Sequence, residues 1–150
     1  MIMMKMKMNC LLVLAALFAA WGLAACDDDA AKVWNELPDP IAKFIDEYWP
    51  GSFARSYTHD DDGYTVQIAN GPQIVFDTGY QWTGIDGKGL PLPQQLLFDQ
   101  LPAALYDYLE SGEYLNQVFG VGRDARQYTV ELLDQELVYT IATGTVRSAT

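Results

Sequence analysis

Tyr64-Thr65-Val66-Gln67-Ile68-Ala69 alternates apolar and polar side chains, and the same alternation returns 64 residues later as Tyr128-Thr129-Val130-Glu131-Leu132-Leu133. In each copy Tyr, Val and Ile or Leu fall on one side, and Thr, Gln or Glu on the other, the period of a half-buried strand. The offset extends without a gap beyond the strand. Leu37-Pro38 matches Leu101-Pro102, Ile41 matches Leu105, Phe44-Ile45 matches Tyr108-Leu109, and Ile74 matches Val138. Helix-type and strand-type positions keeping one register predict a duplicated unit.

The first copy predicts a helix and four short strands. Asp39 is placed to cap the helix and Pro40 to open it. Ile41, Phe44, Ile45 and Tyr48 then form one apolar stripe, and Pro50-Gly51 stops the helix. Strands follow at 53–59, 64–69, 73–76 and 80–85. They are separated by Asp60-Asp61-Asp62-Gly63, the hairpin signal Asn70-Gly71, and Asp77-Thr78-Gly79. Residues 87–100 read as a connector kept extended by Pro91 and Pro93, with Leu96, Leu97 and Phe98 packed on the body. The second copy predicts a helix over 102–111 ending at Gly112. Its strands fall near 117–122, 127–133, 136–141 and, faintly, 144–147. The expected fold class is α+β: two tandem αββββ repeats, 37–86 and 101–150, their antiparallel sheets joined into one larger curved sheet with helices on one face. A single 50-residue unit buries too little apolar surface to stand alone, which requires a shared core.

Ahead of the repeats, Lys5 and Lys7 precede an apolar run from Leu11 to Trp21, the layout of an export signal over 1–25. A transmembrane anchor needs about 20 apolar residues; Cys10 to Ala25 supplies 16 before three aspartates. Ordinary signal cleavage after Ala25 would put bulky Leu23 where a small residue is preferred. Leu23-Ala24-Ala25-Cys26 instead resembles a bacterial lipobox, which implies cleavage that leaves Cys26 as a lipid-modified N-terminus on an acidic tether, 26–36. The expected location is the envelope of a Gram-negative bacterium, held through the lipid alone. An acidic run behind such a cysteine resembles both inner-membrane retention signals and surface-export signals, and both remain open. With Cys10 removed and Cys26 acylated, a disulfide, a zinc–thiolate site and a cysteine nucleophile are excluded.

Lys5 and Lys7 are the only charges before Cys26, so the remainder carries 20 acidic groups against 7 basic ones. That surface repels phosphate backbones and offers no basic stripe, which excludes nucleic acid as a partner class. Acidity serves solubility or a cationic partner, and solubility is the simpler account.

Candidate chemistry is sparse. His59 is the only histidine, and no Gly-x-Ser-x-Gly elbow supplies it with a serine; a solvated turn residue is the preferred reading. Asp60-Asp61-Asp62-Gly63 lacks the alternating ligands and distant glutamate of a calcium loop, so a charged hairpin turn is preferred. Asp77 and Asp86 sit at turns or strand ends, without the apolar cleft that a carboxylate pair for glycoside hydrolysis requires. No catalytic residue, metal or cofactor is expected. Aromatic residues, among them Trp34, Trp49, Trp82 and nine tyrosines, are more suggestive. Most belong to a core, Tyr64 and Tyr128 included. Others, with an arginine, suit a sheet face turned away from the helices. Strand parity gives Arg55, Thr65, Gln67, Trp82, Thr129 and Glu131 as binding candidates, against the alternative of an ordinary solvated face.

Leu-Pro-x-x-Ile-x-x-Phe-Ile, Trp-Pro-Gly, Gly-Tyr-x-Val-x-Ile-x-Asn-Gly, Ile-x-Phe-Asp-x-Gly and Trp-x-x-Ile-Asp follow one another between Leu37 and Asp86. Together with the Leu90-Pro91-Leu92-Pro93 connector, they resemble the PepSY-like, beta-lactamase-inhibitor-protein-like group of periplasmic proteins across 37–147. These motifs are turns, caps and core positions. The resemblance implies tandem helix-plus-sheet units forming a continuous curved surface, with an inhibitory or ligand-binding role. In the second copy Tyr114-Leu115 replaces Pro-Gly, Asp134-Gln135 replaces Asn-Gly, and Thr140-Ile141 replaces Phe-Asp. The expectation is a non-catalytic binder of an envelope protein or peptide; a structural lipoprotein without a partner is the alternative, and a metal-binding protein or hydrolase a weaker one.

Overall fold

The computed structural model describes residues 31–149. The described residues fall into two units that part between Glu36 and Leu37. Of the first, only 31–36 is described, and it is helical. The proposed signal over 1–25, Cys26 and the aspartates behind it lie outside the described residues.

The second unit is one antiparallel sheet of eight strands whose spatial order is the chain order. Helix α1 (Asp39–Tyr48) precedes β1 (Ala54–Asp60), β2 (Gly63–Ile68), β3 (Gln73–Phe76) and β4 (Trp82–Asp86). Helices α2 (Gln94–Gln100) and α3 (Ala103–Ser111) follow, then β5 (Gly120–Arg123), β6 (Gln127–Glu131), β7 (Glu136–Thr140) and β8 (Thr145–Ser148). The β4–β5 ladder, Gly84 to Gly122, Ile85 to Val121 and Asp86 to Gly120, makes the two groups of four strands one sheet. The core lies between one face of it and the helices. Ile41 and Ile45 of α1, Leu97 of α2, and Leu105 and Leu109 of α3 are fully closed off, as are Val66, Ile74 and Val130 of the sheet. A helix stripe and a strand face each hide one apolar side, and burial of the two against each other is what holds the layers together.

Backbone register repeats between the halves. Tyr57 pairs with Val66 and His59 with Tyr64; 64 residues on, Val121 pairs with Val130 and Arg123 with Tyr128. Both hairpin turns are closed by an aspartate. Asp60 Oδ1 accepts from the amides of Asp62 and Gly63, and Asp124 Oδ1 from those of Arg126 and Gln127. The ungapped offset fails at the next hairpin. Gln67 pairs with Gln73 around five residues, but Glu131 pairs with Glu136 around four. Leu137, not Val138, therefore takes the place of Ile74, opposite Val130, and Val138 moves to the opposite face beside Thr129.

Other expectations are corrected. Pro38, not Asp39, occupies the N-cap of α1, without a side-chain hydrogen bond, and Asp39 is already helical. The connector is extended only to Pro93, after which α2 forms. Leu96 and Leu97 pack inward, but Phe98 is 62% exposed, because a helix turns adjacent residues about 100° apart. The strand expected over 117–122 begins only at Gly120, because Leu115–Gln117 form a short 3-10 turn ahead of it. Tyr64 and Tyr128 are half-buried rather than core. Tyr64 is stacked on His59 at 4.1 Å and Tyr128 is edge-on to Trp82 at 6.4 Å.

Candidate functional site

The sheet face turned away from the helices carries two cross-strand rows, legible from the register alone. One runs Thr65, Val75, Gly84, Gly122, Thr129, Val138. The other runs Gln67, Gln73, Asp86, Gly120, Glu131, Glu136. Where β4 meets β5 the rows lose their side chains at Gly84, Gly122 and Gly120. The result is a shallow groove of about 290 Å³ in the middle of the face. Nothing lies within 4 Å of the position a Cβ on Gly84 would take. On the far bank Thr129 Oγ1 leans to 2.8 Å from the corresponding point on Gly122, and Glu131 Oε2 to 2.9 Å from that on Gly120. Glycine weakens a strand interior, and its presence there marks a place where something approaches the backbone.

The banks differ in charge. Asp86 is paired with Lys88 Nζ at 3.2 Å. Its carboxylate also accepts the Lys88 amide, which, ahead of the charged side chain, holds the Asp86 pKa below the usual aspartate value. Glu131 and Glu136 face each other across β6 and β7 and form no ion pair among the described residues. Like charges placed directly opposite in a sheet repel, so this bank is held acidic at some cost to the fold.

Four of the six residues expected on this face are there: Thr65, Gln67, Thr129 and Glu131. Gln67 is already engaged, its amide donating to the carbonyls of Ile68, Gly71 and Pro72 and closing the hairpin. Trp82 is not on the face. Val75 pairs with Gly84 but Phe76 with Trp82, leaving Thr83 as an extra residue; this bulge reverses the side on which Trp82 emerges. It lies in the core, 2% exposed. Its indole Nε1 donates to Gln100 Oε1 at 2.9 Å, and the Arg123 guanidinium covers its ring at 4.1 Å. Arg55 is the extra residue of another bulge, between Ala54 and Ser56 on the outermost strand, away from the groove. The glycines were missed, although Gly120-Val121-Gly122 already placed two of them on the same side of one strand.

Elsewhere the chemistry is structural. Gln100 Nε2 donates to the Tyr48 hydroxyl at 2.9 Å, which donates to Asp99 Oδ2 at 3.1 Å; with Trp82 this ties α1, α2 and β4 together. Burial pushes the Tyr48 phenol above its ordinary pKa. His59 is exposed and stacked on Tyr64. Among the described residues no cluster of three histidine, cysteine, aspartate or glutamate side chains is arranged to hold a metal. A second recess of about 300 Å³, bounded by Trp49, Pro72, Leu90, Pro91 and Pro93, has no charged lining residue. Among the described residues no helix is long and apolar enough to cross a membrane.

A one-sheet meander with helices behind it and a groove floored by glycine on its other face defines an α+β scaffold. The chain belongs to the family described as "Putative beta-lactamase-inhibitor-like, PepSY-like", whose model matches residues 62–147. No curated protein matches it. Solved structures share the fold, among them three from Bacteroides. A "putative periplasmic protein" from Bacteroides vulgatus is 23% identical, with 76% of this chain and 90% of that one covered and a TM-score of 0.63. A "putative calcium-regulated periplasmic protein" from Bacteroides thetaiotaomicron is 23% identical, with coverage of 78% and 93% and a TM-score of 0.64. A periplasmic protein of unknown function from Bacteroides vulgatus is 20% identical, with coverage of 77% and 94% and a TM-score of 0.63.

Proposed function

We propose that this is an exported, non-catalytic binding protein of the Gram-negative cell envelope, anchored by lipid at Cys26, that holds a protein or peptide on its open sheet face. The observation that carries this reading is the glycine floor formed by Gly84, Gly120 and Gly122 in the centre of an otherwise side-chain-covered face. A fold that served only as a filler would gain stability from a β-branched residue at Gly84, where an added Cβ meets nothing within 4 Å. The family's inhibitor-like description and the periplasmic descriptions of the structural neighbours support the same reading. Inhibition of the bound protein is its narrower form.

The test is site-specific photo-cross-linking in the host envelope. A benzophenone side chain at Thr65 or Thr129 is expected to trap a discrete partner, and one at Phe98 on the helix side is not. Equal trapping from both sides, or none from the open face, refutes the reading. Replacing Cys26 with Ala tests the anchor separately: the protein should leave the membrane fraction for the soluble one.

A further inference from the structure

We propose that the groove takes a basic segment of a partner protein, with an arginine or lysine stem laid over Gly84 and its cation at the acidic bank of Glu131 and Glu136. This rests on the reading that the open face binds a protein or peptide, and it names that partner's chemistry. Charge complementarity carries the choice. Asp86 on the near bank already has Lys88, whereas Glu131 and Glu136 lie opposite each other and form no ion pair among the described residues. A guest cation would remove their repulsion and satisfy both.

The floor explains why the guest is a side chain rather than a free ion. The space above Gly84 is open, and the aliphatic stem of an arginine or lysine covers apolar surface such as Val75 while its head stays polar. An isolated divalent cation would need converging oxygens, but the two glutamates extend from separate strands and no third carboxylate joins them. A guanidinium meets two carboxylates at once with paired hydrogen bonds. The net charge of −11 favours the approach of such a partner and disfavours an acidic one.

The experiment follows the glycine amides. The full chain, labelled with 15N-glycine and held in detergent micelles, is titrated with a short peptide of alternating arginine and serine. Its glutamate–serine and all-serine counterparts serve as controls. The signals of Gly84, Gly120 and Gly122 are expected to move saturably with the arginine peptide alone. Gly63, beside Asp60, Asp61 and Asp62, should stay still and so exclude diffuse attraction to acid. Glu131→Gln with Glu136→Gln should weaken binding about tenfold or more, the scale of one charge-assisted contact, and Gly84→Val should abolish it. Movement of Gly63 in step with the groove glycines, or indifference to the double glutamine variant, overturns the inference. If open-face cross-linking to the host partner is lost in Gly84→Val but kept in the double glutamine variant, the basic partner falls and the binding face stands.

Discussion

Replacing Gly84 with valine should make the protein more stable, because the position has been left bare without any backbone need for glycine. Gly84 lies inside β4 and is not among the residues with positive φ. A Cβ there meets nothing within 4 Å, so the new side chain causes no clash. Glycine inside a strand costs about 0.5–1 kcal/mol relative to alanine through backbone entropy, and valine is a favoured strand residue on a scale spanning about 1 kcal/mol. The new side chain also stands opposite Val75 on β3, a cross-strand contact worth about 0.2–1 kcal/mol. The expected gain is about 1–2 kcal/mol. For a domain of this size that raises the melting temperature by about 3–10 °C. Paired thermal melts followed by far- and near-ultraviolet circular dichroism measure it. A lower melting temperature with native spectra would refute the argument, since it would mean that the backbone at 84 is constrained or covered. A gain in stability with a loss of cross-linking would locate at Gly84 a trade of stability for binding.

Three further outcomes are expected. Gly63→Ala should destabilise by about 2 kcal/mol or more in the same melts, because φ there is +137° and the added carbon would run into the carbonyl of Phe76. The raised pKa of Tyr48 means that folding holds its proton more tightly, so stability is fully present below about pH 10 and is lost as pH rises through the folded value. Urea midpoints between pH 8 and 11 should fall less in Tyr48→Phe than in the parent chain. Residues 33–90 expressed alone should show no cooperative unfolding, since β4 loses its β5 partner and both Tyr48 and Trp82 lose Gln100; a sharp transition in that fragment would refute the shared core.

The strands were legible because alternation is a local property. Val66, Ile68 and Val130 had to be on one side whatever the rest of the chain did. The turn at Asp60 was legible for the same reason, its carboxylate reaching only to amides two and three residues ahead. Trp82 was misplaced because a single extra residue, Thr83, reverses parity, and a bulge is fixed by the partner strand rather than by the sequence around it. The one-residue slip between Glu131 and Glu136 escaped notice because both Leu137 and Val138 are apolar. The groove was the least legible feature. Gly84 and Gly122 lie 38 positions apart in the chain, and only the β4–β5 register sets them side by side. Phe98 read as core because three apolar residues in a row give no direction until the helix phase is known.

Because each strand borders only the strand made just before and just after it, assembly can proceed in the order in which the chain emerges from a ribosome or an export channel. Apart from β4, which pairs with β5 only after two helices have been made, no strand must wait for a distant partner, which keeps sequence separations short and loop closures inexpensive. The same order leaves a growing edge at every stage, and in the finished protein two of them remain, β1 at one margin and β8 at the other. Amide exchange should accordingly be fastest at these margins and slowest toward β4 and β5, where the glycine floor is carried by the most enclosed backbone of the sheet.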